Sequence, residues 1–116
     1  MVDWAGHYSA IYNALGVDAV ITIAETNAQE SLRVIDKTAG VQISEGGDLS
    51  ITSIVPACAV RVTEMTSKGI DLGKLRGSRV AMNGASWRVE SRQMRPSPAG
   101  EMAGEVYLIL IEDRDA

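Results

Sequence analysis

The spacing of apolar residues changes once along this chain. Up to Leu15 they recur every three or four positions, at Trp4, Tyr8, Ile11, Tyr12 and Leu15. That period lines one face of a helix. Asp3 stands where an N-cap is wanted and Gly16 where helices commonly end, so a helix is predicted from Trp4 to Leu15. Gly6 and Asn13 weaken it, so it needs a surface to pack on. That surface is either this chain's own barrel or a neighbouring subunit.

After Gly16 the period falls to two. Val17–Ala24 is a β-branched run that reads as a strand, with turn residues over Asn27–Glu30. Ser31–Lys37 alternates next. The glycine-rich stretch Thr38–Ser53 is expected to hold a mobile loop at Ser44–Ser50, flanked by apolar stubs at Val41, Ile43, Leu49 and Ile51. Pro56 introduces a strand over Ala57–Met65, with Cys58, Val60 and Val62 on one face. Thr66–Gly77 reads as a turn-rich connection. Asn83-Gly84 is then the strongest hairpin signal in the chain, since both central residues of a type I′ turn need positive φ. That turn sets Met82 opposite Ala85, Val80 opposite Trp87, Arg79 opposite Arg88 and Ser78 opposite Val89. Pro96, Pro98 and Gly100 break the chain before a nearly continuous apolar strand, Glu105–Ile111. Such a run suits a strand buried on both faces, or on one face by another subunit.

The pattern predicts a mainly β single domain spanning residues 1–116. It is a small antiparallel β-barrel or sandwich of six to seven strands (17–112) with one short N-terminal amphipathic helical segment (1–15). At 116 residues the chain can bury one core. No apolar run is long enough to span a bilayer, and no signal peptide is read at the start, so a cytoplasmic place of synthesis is expected. The single Cys58 excludes an internal disulfide, and the single His7 excludes a multi-histidine metal site.

Charge adds one asymmetry. Between Lys68 and Arg95 seven basic residues meet only Asp71 and Glu90, a net of +5, while the rest of the chain is −9. This asymmetry suits head-to-tail contact between copies, or a basic face meeting an acidic partner; ordinary solvated strand faces are the simpler account of it. No phosphate loop, GxSxG or EF-hand spacing occurs. No catalytic, metal or cofactor-binding residues are assigned, and no enzymatic activity is expected. The alternatives are a small-barrel nucleic-acid-binding module using residues 68–95, and an enzyme built on scattered carboxylates and a metal. The candidate subunit or partner interface is Trp4, Tyr8, Ile11 and Tyr12 on the helix with Arg79, Arg88 and Arg92 on the exposed side of the hairpin. Arg79 facing Arg88 costs a few tenths of a kcal/mol to about 1, which Glu90 as a diagonal neighbour partly offsets.

The order of features resembles the phage head–tail joining proteins. The likeness runs through Met-Val-Asp-Trp at the start, Val55–Met65 (VPACAVRVTEM), Gly73–Gly77 (GKLRG), the hairpin Val80–Val89, Arg95-Pro96 and the closing hydrophobic strand. It implies a virion protein, a small β-barrel forming a homo-oligomeric ring in the neck, between portal or adaptor proteins and tail proteins. It also implies loops that order on assembly, no cofactor, no membrane, and DNA passing through the channel without sequence-specific contact. The aromatic start departs from the family, suggesting an ordered helix in place of a flexible arm.

Overall fold

The computed structural model describes residues 4–45, 51–97 and 100–112, with side chains for 10–41, 54–94 and 104–112. Helix α1 (Trp4–Leu15) is followed by β1 (Val17–Thr22), β2 (Gln29–Glu45) and β3 (Ile51–Arg61). A short helix α2 (Val62–Ser67) and a single 3-10 turn at Leu72–Lys74 lead to β4 (Arg79–Met82), β5 (Ala85–Ser97) and β6 (Gly100–Glu112). The six strands close into an antiparallel barrel in the order β1-β2-β3-β6-β5-β4, with β4 returning to β1. The fold class is therefore a mainly β, closed six-stranded barrel with a short N-terminal helix.

The interior follows from the period of two. Ala19 and Ile21, Leu32 and Val34, Cys58 and Val60, Val80 and Met82, Val89, and Val106, Leu108 and Leu110 supply one face of each strand to a common core. Cys58 is fully buried among them as a small apolar residue. Each buried aliphatic side chain contributes about 1.5–3 kcal/mol. One mouth is plugged by Val62 and Met65 from α2 together with Ile70 and Leu75. β6 is apolar on both faces because its outward Ile109 is also buried, with Val41 and Ala57.

The Asn83-Gly84 turn has the expected register, Met82↔Ala85 to Arg79↔Arg88, with positive φ at both residues. Beyond it the ladder bulges: Val89 donates to Ser78 O while Gly77 donates to Val89 O. Trp87 packs against the core. Ser78, wholly buried, accepts from Ala24 N–H at 3.1 Å, which satisfies its hydroxyl and ties the β1–β2 turn to β4.

Several boundaries differ from the sequence reading, each for a physical reason. Val62–Met65 were expected in a strand but are helical. Val62 and Met65 are three apart, so one helical turn places both on the barrel mouth, and packing overrides β-propensity. β1 ends at Thr22 and the turn lies at Ala24–Thr26, so Gln29 and Glu30 already belong to β2. β2 runs to Glu45 and β3 starts at Ile51, so Ser44 and Glu45 are paired; residues 46–50 of the expected loop lie outside the described residues.

Neither strand proline ends its strand. Pro56 sits where the β2–β3 register shifts between Lys37 and Val41, and Pro96 where β5–β6 shifts between Arg95 and Ser97. A residue without an N–H is accommodated where its partner bulges. β5 therefore continues to Ser97, and β6 begins at Gly100.

Beyond the barrel these ladders continue as two-stranded ribbons. β2–β3 passes the point where β1 and β6 stop pairing with it, in the direction of the C-terminal end of β6. β5–β6 passes Arg61↔Glu105 in the opposite direction. The two ribbons leave opposite ends of the barrel. In the first bulge Gly40 has φ 127, and a Cβ there would collide with Ile54 Cγ2. Gly40→Ala should lower unfolding free energy by about 1–3 kcal/mol in urea titration. Gly84→Asn, at an open turn position, should cost well under 1 kcal/mol because Asn tolerates positive φ. Equal losses at both sites would refute this account of the bulge.

Candidate interaction surface

The outside of the barrel has two unlike faces. Over β2, β3 and β6 lies α1, held by a charged network. Tyr12 is fully buried and donates its hydroxyl to Glu105 Oε2 at 2.7 Å. Arg61, the register partner of Glu105, lays its guanidinium 5.0 Å from the Tyr12 ring centroid and pairs with Glu64 at 3.7 Å. Arg61 Nε is buried with no hydrogen-bond partner among the described residues. Arg33 closes the helix end: Nε donates to Tyr12 O at 3.2 Å, Nη2 to Asn13 O at 3.3 Å, and Nη1 to Asp18 at 3.1 Å. A cation on the last carbonyls also complements the helix dipole. Burial, and then the bond to Glu105, push the Tyr12 phenol far above its ordinary pKa, so it stays a donor.

The expected helix interface changes accordingly. Tyr12 is spent on this chain's own barrel and Ile11 is half-buried, whereas Leu15 is 66% exposed. Trp4 and Tyr8 lie in α1, but their side chains are outside the described residues.

The second face, over β1, β4 and β5, is open. It presents Val20 and Ala81 beside Arg79 and Arg88, with Ile111 42% exposed opposite Arg88. Arg79 and Arg88 do come together here, as the turn predicts. Arg92 does not join them. Val89 pairs with Leu110 and Ser91 with Ile109, so Glu90 is an extra residue in β5. One extra residue moves everything beyond it to the other side of the ladder. Arg88, opposite Ile111, points outward, while Arg92, opposite Leu108, has the parity of the core residue Met94. Arg92 is exposed because β4 has already ended beside it. The bulge was hidden from a sequence reading that continued strict alternation through Glu90.

The residues missed by sequence reasoning are Arg33, Arg61, Glu64, Glu105 and Asp36. Arg61 and Glu64, three apart, carry the one local signal, since that spacing suits a helical ion pair. Asp36 closes the second mouth of the barrel. It accepts from Thr38 N–H at 2.9 Å, from the Thr38 hydroxyl at 2.7 Å, and from Asn83 Nδ2 at the hairpin tip. Desolvation alone would raise its pKa, but these three donors outweigh it and hold the carboxyl below its ordinary value. Burial, with Asp36 nearby, pushes the Cys58 thiol up to about 12, which leaves it a protonated core residue. No group of three His, Cys, Asp or Glu side chains that could hold a metal occurs among the described residues. The concavities there are open grooves on the barrel surface.

Comparison with known proteins finds no matching family model and no matching curated protein.

Two outcomes test this geometry. Arg33→Ala should free the C-terminal turn of α1, speeding limited proteolysis near Leu15 several-fold while the barrel stays folded; unchanged cleavage would show that Arg33 does not hold the helix. A carboxylate with depressed pKa contributes stability that is present above its unfolded value of about 3.9 and lost as pH falls through the folded value. Asp36→Asn should therefore flatten the loss of stability below about pH 4 in acid titrations. A titration identical to that of the parent chain would exclude Asp36 as a source.

Proposed function

We propose that this chain is a structural component of the neck of a tailed phage or phage-like particle. It forms a ring between the DNA-filled head, on the portal side, and the tail, and acts by shape and interface. The observation that carries this reading is the pair of ribbons leaving opposite ends of a closed barrel. Such ribbons offer every copy two protruding elements for neighbours above, below or beside it. The order of sequence motifs, shared with the head–tail joining proteins, and the split charge support the same reading. Its partners on this view are further copies of itself, portal or adaptor proteins, and tail proteins.

The basic pair Arg79 and Arg88 suits either an acidic protein surface or the phosphates of passing DNA. Trp87 packs inward against the core, so it is not available to stack bases on that face. This favours a protein-contact or channel role over a single-strand nucleic-acid reader. Electron microscopy of particles assembled without this chain should show filled heads and complete tails that fail to join. Normally joined particles would sink the proposal.

A further inference from the structure

β5 keeps a free edge over most of its length. β4 stops pairing at Arg79↔Arg88, so no strand of the described residues lies beside Ser91–Ser97 on that side. A groove runs along the start of this edge, between Leu72, Gly73 and Arg76 on one side and Glu90, Ser91 and Arg92 on the other. Arg76 and Arg92 are exposed there and form no ion pair among the described residues. An edge of this kind is a template for another strand. The bulge at Glu90 and the proline at 96 confine pairing to the few residues between them, which limits the edge to a short, specific partner.

The same molecule carries a complementary element. The β2–β3 ribbon, paired from Val41↔Val55 to Glu45↔Ile51, has no strand neighbour on either side among the described residues. Between Lys37 and Arg61 the sequence has no basic residue, and its charged residues there are acidic. The ribbon and the β5 edge project toward opposite ends of the barrel, so one copy cannot pair its own ribbon with its own edge.

We infer that the β2–β3 ribbon of one copy adds as a strand to the β5 edge of the next, the acidic sequence of the ribbon complementing the basic groove of Arg92 and Arg76. The contact uses different patches on the two copies, so it is heterologous; it closes a ring where the rotation between copies closes. Main-chain hydrogen bonds supply the attachment, and the charge pairing sets partner and direction. The inference deepens the ring reading by naming the contact that builds the ring.

Sedimentation of the full chain over a range of concentrations, with hydrogen exchange on the same samples, tests it. The parent chain should self-associate, and protection at the amides of residues 91–95 should rise with concentration. Arg92→Glu and Glu45→Arg should each weaken association about tenfold or more, and the two together should restore it toward the parent. Far-ultraviolet circular dichroism on each variant identifies any loss caused by misfolding, and the restored double variant is the decisive arm. A chain that stays monomeric overturns the inference. So does association that is indifferent to both substitutions and leaves residues 91–95 unprotected. In that last case a ring in the particle neck can still stand, because the particle experiment reads that separately.

Discussion

The barrel depends on what happens to β2 once β3 has left it. β3 pairs with β2 from Val34↔Val60 outward, so the start of β2 loses its neighbour on that side. Left bare, those backbone groups would be an open sheet edge. α2 and its C-cap residue fill the place of the absent strand with two side chains. Glu64 Oε1 accepts from Arg33 N–H at 3.0 Å, and Lys68 Nζ donates to Ser31 O. The helix that plugs the mouth with Val62 and Met65 thus also completes the wall. Glu64 in turn holds Arg61, Arg61 lies over Tyr12, and Arg33 caps α1. Wall, plug and outer helix form one mechanical unit through a handful of charged residues.

Much of the fold was legible because the relevant physics is local. The spacing of Trp4, Tyr8, Ile11, Tyr12 and Leu15 with Gly16 after them marks α1, and Asn83-Gly84 marks a turn whose register follows from two residues. What was not legible depends on partners distant in sequence. Pro56 and Pro96 read as strand boundaries, and only the bulges in β2 and β6 explain why the strands pass through them. Val62–Met65 has strand-like composition, and its helical turn is selected by a barrel mouth assembled from other elements. The same limit applied to the surface. Arg79 and Arg88 were placed correctly because they adjoin the turn, while Arg92 was displaced by one extra residue at Glu90. Tyr12 looked available to a neighbour because Glu105, its partner, lies 93 residues away.

The two outer faces divide the molecule's labour. The face over β2, β3 and β6 is occupied by α1, while the face over β1, β4 and β5 is left with Val20, Ala81 and Ile111 beside basic residues. The fold covers one of its outer faces with α1 and the buried Tyr12 rather than by enlarging its core.

The seam between β1 and β4 carries a consequence for how the barrel forms. It holds four residue pairs, Ala19↔Met82 to Thr22↔Arg79, joining positions roughly sixty apart in the chain. The only other strand that β4 pairs with is its own hairpin partner β5, among the described residues. Chain entropy makes so distant and so short a junction the costliest of the barrel's strand pairings to close. Until that seam closes, the chain is an open curled sheet whose β1 and β4 edges are exposed. Ser78, reaching from just before β4 to Ala24 beyond the end of β1, adds a hydrogen bond across the same seam.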